Sequence, residues 1–247
     1  MVLKIDLFPC LTDNYGFLIT DEASGLTAAI DTPDAEVIAA RVVERGLKLD
    51  YILNTHWHPD HAGGNAALKE RFNPVIFGPE EARQTGPVDR LLVAGDIFEL
   101  GETRLDILDL IGHTTGQIGY WDRDGENAFV GDAIFTLGCG KVWDTMPHMW
   151  ESLLRIAELP ADTRLFHAHE YTLVNLRFAE SVGDHPALAA RGEQLKAMRA
   201  RGEYTVPTTV ADERAANPFL VYPLRETGFD AQAAKFAELR AAKDVFK

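Results

Sequence analysis

From Leu49 to Arg71 the chain runs from an apolar stretch, Leu49 to Thr55, through His56-Trp57-His58-Pro59-Asp60-His61 and the turn Gly63-Gly64-Asn65 into a short helical pattern over Ala66 to Arg71. Three imidazoles and a carboxylate within six positions crowd strong metal ligands where a loop leaves a strand, and an ordinary folded segment has no reason to concentrate them there. Strand, ligand loop and helix in that order are how an α/β scaffold presents a site. Alternate side chains of an extended segment share a face, so His56 and His58 can grip one ion while Asp60 and His61, after the chain turns, reach a second beside it. The spacing therefore predicts a two-metal hydrolytic centre on an α/β fold.

The rest of the chain agrees with that scaffold over its first two thirds, where strand-like and helix-like segments alternate. The expected strands are Leu3 to Phe8, Tyr15 to Thr20, Leu26 to Ile30, Tyr51 to Asn54, Val75 to Phe77, Leu105 to Asp109, Ile118 to Trp121, Ala128 to Val130 and Arg164 to His167. Thr32-Pro33 is expected to cap and open a helix through Val37, Ile38, Val42 and Val43 that Gly46 ends. Met149, Trp150, Leu153, Leu154 and Ala157 form a second stripe at helical spacing. From about Tyr171 the strand signal fades. Helical patterns take over in Leu173 to Val182, Pro186 to Arg201 and Ala231 to Lys243, with Val206 to Pro223 expected as a separating stretch.

A chain of 247 residues, 46% hydrophobic, can bury one substantial core and carry a small second domain. Its net charge of -14 argues against nucleic acid as a partner, since phosphate binding relies on clustered Lys and Arg, although a local basic patch can still hold a small anion. Met1 to Pro9 lacks the apolar segment of a signal peptide and no stretch approaches a bilayer-spanning length, so no membrane association is expected. Cys10 and Cys139 are too few for a disulfide framework, which fits a reducing, cytoplasmic compartment.

Two metals need further ligands, and three residues further along stand just past apolar strands beside turn formers. They are His113 in Gly112-His113-Thr114-Thr115-Gly116, Asp132 in Gly131-Asp132, and His169 in His169-Glu170-Tyr171. Each alone is as well explained as a cap or a solvated turn; strand ends at one edge of a sheet are also where ligands converge.

Taken together, Thr55-His56-Trp57-His58-Pro59-Asp60-His61, Gly112-His113-Thr114, Gly131-Asp132 and His169 resemble the pattern of the metallo-β-lactamase superfamily. Within it the chain is similar to the glyoxalase II (hydroxyacylglutathione hydrolase) family. That narrower resemblance rests on Gly138-Cys139-Gly140-Lys141, His169-Glu170-Tyr171-Thr172 with Asn175-Leu176 and Phe178-Ala179, Thr205-Val206-Pro207-Thr208-Thr209, Asn217-Pro218-Phe219 and Arg240-Ala241-Ala242-Lys243-Asp244. It implies an αββα sandwich over residues 1–169 followed by a small C-terminal helical domain over 170–247. It further implies that His56, His58 and His113 hold one metal, Asp60, His61 and His169 the other, and that Asp132 bridges. The ions are expected to be Zn, with Fe or Mn also suited to the mixed donor set. The family's glutathione-holding positions match Lys141, Tyr171, Arg240 and Lys243, and Trp143 stands where Tyr or Phe is usual. The chain departs from the family at Val142-Trp143-Asp144-Thr145, one residue shorter, and at His167-Ala168, where Cys-Gly is usual. His167 is thus a spare imidazole beside the expected ligand His169.

The implied reaction is hydrolysis of S-(2-hydroxyacyl)glutathione, such as S-D-lactoylglutathione, to D-lactate and glutathione, the second step of methylglyoxal detoxification. Asp60 is expected to orient the metal-activated water. Arg240 and Lys243, three apart on one helix, can point the same way towards glutathione's carboxylates. Cys139 is expected to be structural, since no base lies near it in sequence. A monomer is expected. The rival readings are another hydrolase of this fold, such as a lactonase or β-lactamase, or a mononuclear iron persulfide dioxygenase; the tail with Arg240 and Lys243 weighs against them. A non-catalytic binding protein would lack a ligand, and a nuclease would carry a basic stripe.

Overall fold

In the computed structural model, which describes residues 3–183 and 185–246, the apolar stretches become strands wherever alternate side chains can be buried on two faces. The chain divides into two units, Met1–Asp109 with Gly116–Gly131, and Leu110–Thr115 with Asp132–Lys247. Unit one contains β1 (Leu3–Cys10), β2 (Asn14–Asp21), β3 (Thr27–Ile30), α1 (Ala35–Glu44), β4 (Tyr51–Leu53), α2 (Pro59–Ala62), α3 (Asn65–Phe72), β5 (Val75–Gly78), β6 (Arg90–Leu91), β7 (Ile97–Leu100), β8 (Thr103–Asp109), β9 (Ile118–Asp122) and β10 (Asn127–Gly131).

Strands β1 to β6 form one sheet in sequence order, antiparallel as far as β3 and parallel from β3 to β6. Register places Leu18 opposite Ala29, Ala29 opposite Ile52 and Ile52 opposite Ile76. This row is buried against Ile38, Ala39 and Val42 of α1 and Leu68 of α3. The neighbouring positions Phe17, Ile19, Ile30 and Leu53 are buried as well, because the opposite face is covered by the antiparallel β7 to β10. Phe17 meets Phe129 edge to face at 5.8 Å, and the Tyr120 hydroxyl donates to the Asn54 carbonyl at 2.6 Å. Strands buried on both faces are continuously apolar, which is why the sequence shows runs there rather than clean alternation.

The start of α1 differs from the expected one. Its cap is Asp34, which accepts from Glu36 N and Val37 N. The Thr32 hydroxyl is instead engaged by Asn65 Oδ1 at 2.8 Å, and Thr32 N donates to His61 O at 2.7 Å, so Thr32 ties the ligand loop to the end of β3.

Unit two contains β11 (Ile134–Phe135), β12 (Gly138–Cys139), α4 (Met146–Ala157), β13 (Arg164–His167), α5 (Thr172–Val182), α6 (Pro186–Ala200), β14 (Thr208–Thr209), α7 (Val210–Ala216), α8 (Pro218–Val221) and α9 (Phe229–Val245). Helix α4 buries Met149, Trp150, Leu153, Ile156 and Ala157, with Trp150 stacked on Phe236 of α9. Leu154 of the expected stripe is only half-buried, and Ser152 is buried in the same helix, donating to the Ile111 carbonyl. Val206 to Pro223 is not a mere separator, since it folds into β14, α7 and α8 around the buried Glu213. Among the described residues no helix is long and apolar enough to cross a membrane.

Candidate metal centre and substrate pocket

In unit one, β4 ends at Leu53 and the chain bends at Thr55 before reaching His58, which precedes the single helical turn α2 with Pro59 in its first turn. The turn presents Asp60 and His61. His56 Nε2 lies 3.0 Å from His58 Nδ1, and His61 Nε2 lies 3.7 Å from Asp60 Oδ2. Asp31, at the end of β3, organises this group. Its Oδ1 accepts from Thr55 N at 2.7 Å and its Oδ2 accepts from Thr55 Oγ1 at 2.8 Å, while His61 Nδ1 is 2.8 Å from Oδ2. With its own proton directed at Asp31, Thr55 Oγ1 accepts from His56 Nδ1 at 2.9 Å. Both imidazoles therefore carry their proton on Nδ1 and keep the Nε2 lone pair for an ion, the usual way an outer carboxylate sets a ligating histidine.

In unit two, Gly112 opens the second group at φ 126, where a Cβ would lie 2.4 Å from Met149 Cα, so only glycine fits. His113 Nδ1 donates to the Lys141 carbonyl at 2.7 Å, which turns Nε2 to within 3.5 Å of Asp132 Oδ2. The same oxygen lies 3.4 Å from His169 Nε2. Gly140 lets the loop pass this closely, because a Cβ there would sit 2.1 Å from the Asp132 carbonyl oxygen and 2.9 Å from His113 Nδ1. His169 stacks on Tyr171 with centroids 4.7 Å apart. The spare imidazole of His167 is occupied elsewhere. Its Nε2 accepts from Thr136 N at 3.1 Å, and burial pushes its pKa down to about 4, which keeps it neutral and able to accept.

The donor sets suit divalent ions. Two ligand atoms each about 2.1 Å from one ion lie about 3.0 Å apart at a right angle and about 3.4 Å apart at the tetrahedral angle. The 3.0, 3.4 and 3.5 Å separations above are of this size. Nε2 atoms bared by Nδ1 contacts, together with a carboxylate oxygen set between two imidazoles, are the chemistry that a metal centre uses.

Four of the expected substrate residues, Lys141, Tyr171, Arg240 and Lys243, line one cavity of about 350 Å³ in unit two, with Phe135 and Cys139 also in its wall. Lys243 is half-buried, with Nζ donating to the Val174 carbonyl at 3.3 Å and lying 5.2 Å from the centre of the Phe178 ring. Burial, reinforced by the nearby Arg240 charge, lowers its pKa to about 8. Arg240 is 6% exposed, donates from Nη1 to the Cys139 carbonyl at 3.0 Å and pairs with Asp244 at 2.9 Å. Burial pushes the Cys139 thiol up to about 11, which leaves it a poor nucleophile. Trp143 does not line this cavity. It is 63% exposed, with the Lys141 ammonium 4.8 Å from its ring centre. The divergent stretch around it is pinned, because Trp143 N and Asp144 N each lie 3.2 Å from the Gly112 carbonyl oxygen.

Sequence reasoning did not find Asp31, nor Asn14, whose side-chain amide donates to Asp60. It also missed Glu213, and it quoted Asn217 only as part of a motif; together these two hold the turn between β11 and β12. Asp31 carried a usable signal, a carboxylate immediately after an apolar strand, as at Asp132.

Residues 24–169 match the family described as the metallo-beta-lactamase superfamily, and residues 170–246 match hydroxyacylglutathione hydrolase C-terminus. The chain is 44% identical over 251 residues to a hydroxyacylglutathione hydrolase of Erythrobacter litoralis (strain HTCC2594), covering 99% of this chain and 100% of that protein. It is likewise 44% identical over 254 residues to the protein of that name from Hyphomonas neptunium (strain ATCC 15444), covering 100% and 99%. Among solved structures, ETHE1 from Myxococcus xanthus superposes with a TM-score of 0.70 at 23% identity, covering 100% of this chain and 96% of the other. TTHA1623 in a di-iron-bound form gives 0.64 at 23% identity, covering 88% and 100%. These two share the fold.

Proposed function

As a member of the hydroxyacylglutathione hydrolase family within the metallo-β-lactamase superfamily, the chain is, we propose, a binuclear divalent-metal thioesterase that hydrolyses S-(2-hydroxyacyl)glutathione, typified by S-D-lactoylglutathione, to a 2-hydroxy acid and glutathione. The observation that carries this reading is the match of residues 170–246 to the family's C-terminal region, because Arg240 and Lys243 of that region line one cavity with Lys141 and Tyr171. The His and Asp clusters on this fold indicate divalent-metal binding. The finer assignment proposed is His56, His58 and His113 for one ion, Asp60, His61 and His169 for the other, and Asp132 for both, with Zn in each place. The proposed division is a catalytic domain over 1–169 and a substrate-binding domain over 170–247, a reading supported by family matches over 24–169 and 170–246. Both cysteines are free thiols, which supports a reducing, cytoplasmic setting.

Two divalent ions, when bound, acidify water towards neutral pH and draw developing charge from a carbonyl oxygen. The chain's own residues do the rest. Asp60 accepts a hydrogen bond from the attacking water and aims it at the thioester carbonyl, while Asp31 and the Lys141 carbonyl keep His61 and His113 in the ligating tautomer. Lys141, Arg240 and Lys243 supply positive charge for the carboxylates of glutathione, Tyr171 a ring and a hydroxyl for its peptide, and Trp143 a face that steadies the Lys141 ammonium. Glutathione departs as a thiolate, so no general acid is needed.

The test measures metal content and S-lactoylglutathione hydrolysis on one sample, then repeats the assay on a lactone and a β-lactam. Two ions per chain with thioester turnover are expected. A fully metallated sample that spares the thioester and opens the lactone would replace this reading with the lactonase one.

A further inference from the structure

The hairpin of β1 and β2 carries, at its tip, a residue that no role above uses. Asn14 opens β2, pairs with Cys10 across the hairpin and is 5% exposed. Its amide nitrogen donates to Asp60 twice over, to carboxylate Oδ2 at 3.1 Å and to the backbone carbonyl at 3.3 Å. Both facing atoms are acceptors, so the amide nitrogen, not the amide oxygen, must be turned towards them. One side chain thereby fixes Asp60 at two points, its backbone and its carboxylate, on a helical turn only four residues long. Asp60 itself is 38% exposed at the side chain, so packing alone does not hold its rotamer.

We propose that Asn14 is the positioning residue of Asp60, holding its carboxylate in the orientation that ligates an ion and directs the attacking water. This rests on the reading of Asp60 as a ligand. Partners that orient a ligating side chain typically contribute ~10–100-fold in metal affinity or activity. A role in hairpin packing would instead register in stability alone.

The test uses the full chain and titrates Zn2+ against a competing chelator for Asn14→Leu, which keeps the volume but has no donor, and Asn14→Ser, which keeps polarity but shortens the side chain by one bond and so draws its donor back from Asp60. Thermal melting and steady-state kinetics on S-lactoylglutathione accompany it. One Zn2+ should bind ~10–100-fold more weakly in both variants, with kcat reduced and KM little changed. Should Asn14→Leu destabilise the hairpin, Asn14→Ser still carries the comparison. Both ions held with unchanged affinity in either folded variant would overturn the proposal, even if melting fell. Asp60→Asn separates the two readings. If it loses an ion while the Asn14 variants do not, only the role of Asn14 falls; if it keeps both ions at full affinity, the Asp60 assignment falls and takes this one with it.

Discussion

At the scale of single residues, the proposed substrate cavity holds a cation whose charge is conditional. Lys243 has its pKa lowered from 10.5 to about 8, first by burial and then by Arg240. Below that value it is an ammonium able to pair with a carboxylate, and above it the pair is lost. We expect kcat/KM for S-lactoylglutathione to fall on the alkaline side with an inflection near about 8, and Lys243→Arg to remove that limb, because a guanidinium stays charged throughout. An alkaline limb unchanged in Lys243→Arg would take Lys243 out of the profile. The same depression means that between about 8 and 10.5 the unfolded chain binds more protons at this site than the folded one, so its contribution to stability rises with pH across that window. Arg240 has a different task from a free surface guanidinium. Its Nη1 holds the Cys139 carbonyl, and its ring partner Phe219 lies 5.3 Å away. Arg240→Lys keeps the charge but cannot keep both the Cys139 contact and the Asp244 pair in planar geometry. Its KM for the glutathione thioester should rise about tenfold or more, and a KM within about twofold of wild type would assign the carboxylate contact elsewhere.

At the scale of elements, the turn between β11 and β12 shows both what a sequence conveys and what it hides. The Glu213 carboxylate accepts from Leu137 N at 2.9 Å and Thr208 Oγ1 at 2.6 Å, and Asn217 Nδ2 donates to it and to the Gly138 carbonyl, each at 2.9 Å. Leu137 sits at φ 58, a conformation unusual for a leucine, and these contacts hold it there. The chain then runs through Gly140 to Lys141, whose carbonyl sets His113. Elements in Val206 to Pro223 thus support the proposed ligand His113 through the loop. Burial raises the Glu213 pKa from 4.5 to about 7. The folded state then binds the extra proton between those values, so stability from this group is full below about 4.5 and is lost as pH rises through about 7. Urea unfolding of wild type and Glu213→Gln across that range should show a steeper loss with rising pH in the wild type; parallel curves would mean Glu213 does not titrate there. The sequence shows Thr208 and Asn217 only as parts of family motifs; the contacts they make were not legible in it. Two-residue strands such as Ile134–Phe135 and Thr208–Thr209 have no period to detect, and α7 is bound to the rest by a buried carboxylate that composition marks as surface. The longer strands were legible because apolar runs such as those of β2 and β8 are bounded by turn residues. The proposed ligand positions were picked out for a related reason: each of His56, His113, Asp132 and His169 follows such a run. Asp31 follows such a run too, but its partner His61 lies 30 residues away, so its orienting contact was not legible; Asn14, whose contact lies 46 residues away, carried no such signal.

At the scale of the whole molecule, the seven proposed ligands span His56 to His169, so metal binding and folding are linked along more than a hundred residues. A ligand that binds only the folded chain stabilises it by about 2.7 kcal/mol at a hundredfold excess over its Kd. For a chain of this length each 1 kcal/mol moves Tm by about 2–4 °C, so each occupied Zn2+ site should add about 5–11 °C at that excess. The ligand assignment makes the increments unequal between variants. His58 belongs to one proposed ion, so His58→Ala should lose a single increment and one Zn2+ per chain. Asp132 is assigned to both, with one oxygen 3.5 and 3.4 Å from the two imidazoles His113 and His169, so Asp132→Ala should lose most of the metal-dependent rise. The comparison is made between chelated and Zn2+-saturated samples of each variant, so that any cost to the apo fold cancels. Equal increments in His58→Ala and Asp132→Ala would mean that Asp132 is no more shared than His58, and that the two ions are held independently.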